Sequence, residues 1–288
     1  MAPLFVRLNG FDADMVNYSH YIQVPLLSLF DEIRYLKEPA FWFSIVAFNK
    51  ISPSVLLTFI VYDYIFLIIM LYALRCINNS YFCILFMLLF FPFFLGFQNI
   101  YRQFLGGALF ILSLSMLSPG KSKSGSLVLV CLSIMFHNVY GLLIPAYVVL
   151  RYRRYGIGLG VILALCITVI IFLLPVRHHE NTGLRLELIY GFGVFILCGV
   201  FYIYRRLLPR NMVMAIIITF AVYLVFYLRF ESLYVERFGL AIYMVFFPFI
   251  CTLLISADDY LGKLLRIGVG LAFILPIFIF PSARELLN

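Results

Sequence analysis

The chain has 288 residues, 65% of them hydrophobic and only 12% charged, with a mean hydropathy of +1.07. A soluble domain of this length has too little interior to hide so much apolar surface, so the composition excludes a soluble protein and predicts an all-α, polytopic membrane helix bundle. The net charge of +8 does not point to nucleic acid, because the arginines and lysines sit in short clusters beside apolar runs, where they set membrane topology.

Residues 1–50 carry Asp12, Asp14, Asp31, Glu32 and Glu38. They contain no run long enough to span a bilayer at about 1.5 Å per residue. They are expected to form a periplasmic amino-terminal loop with short interfacial or re-entrant pieces near 21–30 and 40–48, ahead of a transmembrane bundle over 51–288. The segment lacks a basic-then-apolar start, so no cleavable signal peptide is expected. Nine candidate spans follow, at 54–74, 81–97, 103–117, 126–150, 156–176, 188–204, 211–228, 238–256 and 265–281. With the 126–150 segment counted as two broken halves, the expectation is about nine to ten spans around an outer-face cavity. Six cysteines lie in or beside apolar runs without metal-like or disulfide-like spacing and read as packing residues.

The stretch Gln98-Asn99-Ile100-Tyr101-Arg102-Gln103 separates two almost purely apolar segments. A guanidinium at mid-bilayer costs roughly 2.5–3.5 kcal/mol on insertion scales. Arg102 therefore either binds something anionic or snorkels to the interface. Further along, Arg75, Lys121/Lys123, Arg151/Arg153/Arg154, Arg205/Arg206/Arg210 and Lys263/Arg266 are all expected on the cytoplasmic side. A single crossing over 126–150 would put Lys121 and Arg151 on opposite faces. Two short helices meeting at His137-Asn138, each about 17–20 Å long, keep both inside. Residues 1–50, Arg102, His137, the 177–187 loop and residues 229–237 then share the outer face.

That face presents Asp12, Asp14, Tyr18, Glu38, Arg102, Gln103, His137, Arg229 and Arg237. Arginine is planar, always charged and suited to bidentate phosphate contacts. Histidine titrates near neutral pH and suits a general base; Asp12 and Asp14 are rival bases. Blander readings stand beside these. Arg229 and Arg237 can pair with Glu231 and Glu236 as a structural network, His178-His179 with solvent, and His137 with the backbone of a broken helix. There is no HExxH and no carboxylate cluster across spans, so no metal and no cofactor are expected, and arginines would neutralise a pyrophosphate leaving group.

The order of motifs resembles the EpsG/Wzy group of polysaccharide repeat-unit polymerases. Arg7-Leu8-Asn9-Gly10-Phe11-Asp12-Ala13-Asp14 followed by Tyr18 resembles that group's R-x-x-G-x-D-x-x-x-Y loop, and Glu38-Pro39-Ala40-Phe41 its EPxF/Y element. Tyr101-Arg102-Gln103 followed by Phe104-Leu105-Gly106-Gly107-Ala108 resembles its xRQxxAxxxF helix start. Phe136-His137-Asn138-Val139 resembles its FHxSA turn, and Glu236-Arg237-Phe238 its late xR element. The resemblance implies a bacterial inner-membrane enzyme that joins oligosaccharide repeat units carried on undecaprenyl pyrophosphate, on the periplasmic face. It also implies Arg7, Tyr18, Glu38, Arg102, Gln103 and Arg237 on the substrate; the outer-face reading adds Arg229 to them and offers His137, Asp12 or Asp14 as base. The implied partners are lipid-linked donor and acceptor, membrane lipids and a chain-length regulator, with no nucleic acid. Another polytopic transferase, a glycan ligase or acyltransferase, is the alternative enzyme. A lipid-linked oligosaccharide flippase is the non-enzyme alternative, but it is expected to carry cations at several depths and an internal repeat, and the sequence shows neither.

Overall fold

The computed structural model describes residues 7, 14–31, 33–52, 54–77, 100–118, 120–152, 155–174, 186–230, 232–256 and 259–279. The expected span 81–97 and residues 177–185 of the outer loop lie outside them. All regular elements among the described residues are helical. They fall into two compact units, the first drawn from 1–118, 124–138 and 267–288, the second from 119–123 and 139–266.

In the first unit α1 (Asp14–Tyr21), α2 (Ile33–Leu36) and α3 (Pro39–Ile51) are short. Even α3 is only about 20 Å long, too short to cross a bilayer. Pro39 occupies the first helical turn, where its missing N–H leaves no bond unmade, and this makes Glu38 the N-cap. α4 (Val55–Cys76) starts under Ser54, whose hydroxyl accepts the Leu57 N–H at 3.1 Å. It packs along α5 (Tyr101–Ser115), which is buried on nearly every side. α6 (Lys123–Phe136) is laced to α5 by Ser126 Oγ donating to the Ser113 carbonyl at 2.8 Å and Ser133 Oγ to the Gly106 carbonyl at 2.7 Å.

α6 stops at Phe136, and the chain passes through His137 into a 3₁₀ turn over Asn138–Leu143. The expected break at His137-Asn138 is therefore present. α7 (Ile144–Arg151) follows, and the Arg151 guanidinium donates to the Lys123 carbonyl, so the two ends of this segment meet.

The rest of the second unit comprises α8 (Gly156–Leu173), α9 (Leu186–Ile203), α10 (Arg210–Arg229), α11 (Ser232–Ser256) and the start of α12 (Tyr260–Ile279). α7, α8 and α10 pack on one another, and α9 packs on α11. Gly160 explains the first contact: a Cβ there would lie 2.4 Å from Val149 Cγ2 and 3.0 Å from the Pro145 carbonyl.

Among the described residues four helices are long and apolar enough to cross a membrane: Val55–Cys76, Gly156–Leu173, Arg210–Arg229 and Tyr234–Ser256. The apolar helices Lys123–Phe136, Asn138–Arg151 and Gly193–Ile203 are shorter. The expected span 103–117 is the fifteen-residue α5, about 22 Å long.

Candidate active site in the first unit

Four separated segments bring polar side chains together. Tyr18 comes from α1, Glu38 from the N-cap of α3, Arg102 from the first turn of α5, and His137 from the break after α6. Arg102 Nε donates to the Tyr18 hydroxyl at 2.9 Å, and its Nη1 donates to Glu38 Oε2. The other Glu38 oxygen, Oε1, lies 3.7 Å from His137 Nε2. Glu38 thus sits between the guanidinium and the imidazole. The Trp42 ring centroid is 5.6 Å from the guanidinium carbon, close enough for a cation–π contribution. Glu38 and His137 are buried, whereas the Arg102 side chain is 22% exposed. The cation is the part of this cluster that water, or a ligand, reaches.

A second network lies one residue away along the chain. Arg7 donates to Asp63 through Nε (2.7 Å) and Nη2 (3.1 Å), and the Tyr101 hydroxyl donates to Asp63 Oδ1 at 2.7 Å. The Arg7 and Asp63 side chains are wholly buried. The Arg7 guanidinium also lies 5.3 Å from the Phe59 ring centroid and 5.2 Å from that of Tyr101. Aromatic contacts join the two networks: Tyr101 meets Tyr18 at 6.4 Å and Phe41 at 6.0 Å, and Phe41 meets Phe136 at 6.3 Å.

The structure therefore assembles Tyr18, Glu38, Arg102 and His137, and places Arg7 on Asp63 behind them. Gln103 is buried beside Arg102 in α5. Arg229 and Arg237 belong to the second unit. Arg229 Nη2 reaches the Phe172 and Leu174 carbonyls at 3.4 and 3.5 Å, completing the carbonyl end of α8 as basic side chains often do. Asp12 lies outside the described residues, and Asp14 is known only as the first residue of α1. These two stand in a D-x-D spacing, the kind that can hold a divalent cation, so the expectation of metal-free chemistry does not follow from the sequence alone.

Asp63 is the functional-looking residue that sequence reasoning passed over. Its signal was available: it is the only acidic residue in the 22-residue apolar α4, and an ionisable residue inside such a helix marks a functional candidate.

These features define a helical membrane protein with a carboxylate, a cation and an imidazole gathered where a helix is broken. The EpsG family model matches residues 3–285, nearly the whole chain, and the protein belongs to the EpsG family. No curated protein and no solved structure matches the chain.

Proposed function

We propose that the protein is a bacterial inner-membrane polymerase that joins undecaprenyl-pyrophosphate-linked oligosaccharide repeat units on the periplasmic face. The observation that carries this reading is the convergence of Arg102, Glu38, His137 and Tyr18 from four parts of an EpsG-family chain. In the reaction, the bond between the donor's anomeric carbon and the pyrophosphate oxygen breaks, and the leaving group keeps the electron pair. The hydroxyl of the incoming unit forms the new carbon–oxygen bond and gives its proton to a base.

Arg102 is the pyrophosphate ligand. Glu38 pairs with its guanidinium, and a pyrophosphate, with more charge and more acceptor oxygens, displaces the carboxylate. Glu38 then orients His137, the general base; Asp12 and Asp14 are the rival bases. Arg7, Asp63 and Tyr101 act behind the site, fixing the first turn of α5 rather than contacting substrate. The Arg151–Lys123 contact supports placing both ends of the 123–151 segment on the cytoplasmic side, with His137 outward.

The test is glycan length in membranes carrying His137→Gln. Removing the acceptor proton during attack is worth typically about 10²–10⁴-fold. The variant is expected at normal protein level, with single units accumulating in place of polymer. Near-normal chain length in His137→Gln, with loss in Asp12→Asn or Asp14→Asn, would move the base to a carboxylate. Complete absence of surface glycan without accumulated single units would instead indicate a flippase.

A further inference from the structure

α9 rests on α11, and α10 packs mainly against α7 and α8, so α9 and α10 meet only sparingly. Between them lies an open groove of about 280 Å³, lined by Phe201, Tyr202, Val213, Ile217 and Phe220, with Arg205 at one end. Past Leu197 toward Val194 the helices close up against Ile242 and Phe246 of α11, leaving space for about one water. Apart from Arg205 the wall is apolar.

The arginine end differs from the charged cluster of the first unit. Arg205, Arg206 and Arg210 are exposed, and among the described residues none is paired with a carboxylate. Asp259, bonded to the adjacent Tyr204, already accepts the Tyr204 hydroxyl at 2.9 Å and the Gly262 N–H at 2.8 Å through Oδ1. The Arg205 guanidinium carbon lies 4.1 Å from the Tyr202 ring centroid, which steadies it at the groove mouth.

We propose that this groove is a binding site for one anionic phospholipid, its phosphate on Arg205 and one acyl chain along α9 and α10. From Cys198 to Arg205 the groove runs for about 10 Å of helix rise, enough to seat the part of one acyl chain nearest its headgroup. Charge selects the headgroup, since three arginines without carboxylate partners favour net negative lipid over zwitterionic lipid. Basic residues at helix ends also set topology, but topology does not require an apolar trench ending at one of them. The inference is independent of the reaction assigned above.

The experiment is native mass spectrometry of the full chain released from detergent, with phosphatidylglycerol or phosphatidylcholine added. One phosphatidylglycerol is expected to be retained in preference to phosphatidylcholine. Arg205→Gln is expected to weaken that retention about fivefold, the worth of one arginine near a lipid surface. Ile217→Trp, at a half-exposed position of the wall, fills the groove and lowers retention without touching the charge. Arg75→Gln removes an exposed cation that does not line the groove and leaves retention unchanged. Equal retention of the two lipids, or equal losses in Arg75→Gln and Arg205→Gln, would reduce the effect to bulk charge and overturn the site. Undiminished retention in Ile217→Trp would overturn the seat for the acyl chain. Monodisperse elution of each variant excludes misfolding as the cause of a loss.

Discussion

Replacing Arg102 with Ala removes the donor to Tyr18 and the donor to Glu38 together, and two effects then compete. Glu38, only 6% exposed, loses its cation. Stripping one partner from a fully buried ion pair is worth about 3–5 kcal/mol. Because Arg102 is 22% exposed, water screens this pair, and a loss of about 1–2 kcal/mol is the better expectation. The second effect is chemical. If Arg102 holds the pyrophosphate, its removal slows the reaction by about 10²–10³-fold, the usual consequence of losing one donor to developing negative charge. Adding Glu38→Gln separates the two, since a neutral amide does not need the cation. The double variant should regain thermal stability in detergent, yet make polymer about a hundredfold more slowly than Glu38→Gln alone. Arg102→Lys keeps the charge without the planar fork and should fall between wild type and Ala. Polymer length and rate in membranes, normalised to protein level, are the assay. Equal rates for Glu38→Gln and the double variant would refute the assignment of Arg102 to the pyrophosphate.

Asp63→Asn leaves the wholly buried Arg7 without its counter-charge and should lower stability by about 3–5 kcal/mol; an unchanged melting temperature would remove the network's structural role. Tyr101→Phe deletes one hydrogen bond to a charged group and should cost about 1.5–3 kcal/mol in the same measurement. Cysteines placed at Lys123 and Arg151 should be labelled from one side of the membrane, the cytoplasmic one, and labelling from opposite sides would break the proposed topology. Polymerisation should survive a chelator. Activity lost to chelation and restored by magnesium would instead bring the Asp12-Ala13-Asp14 spacing into the mechanism.

Much of the fold was legible because a bilayer imposes length and polarity on any segment that crosses it. α4, α8, α10 and α11 each cover most or all of an apolar run expected to cross. The break at His137 was legible for another reason, since Lys121 and Arg151 cannot share a face across a single crossing. The contacts inside the site were not legible. Asp63 and Arg7 are 56 positions apart, and hydrophobic periodicity does not say which distant cation closes over a buried carboxylate. Motif order brought Glu38, Arg102 and His137 into one candidate list without saying that Glu38 stands between the other two. The same list put Arg7 and Arg102 in one role, because both are arginines at the head of a motif.

Their surroundings separate them. Arg7 has no side-chain exposure and engages both oxygens of Asp63, so its charge is matched within the fold. Arg102 is partly exposed, and the carboxylate it holds also faces an imidazole, so its charge can be handed to another anion. A buried ion pair contributes little net stability over an apolar replacement. What the Arg7–Asp63 pair does supply is a fixed acceptor for the Tyr101 hydroxyl, immediately before Arg102 in the first turn of α5. A misplacement of about 1 Å at a reacting centre is enough to slow it about 10²-fold. An Asp63→Asn/Arg7→Gln protein, with no unmatched charge, should therefore recover its melting temperature while remaining slow. If its polymerisation rate recovers along with its stability, the pair only holds the unit together, and the placement of Arg102 must come from Tyr18 and Glu38 alone.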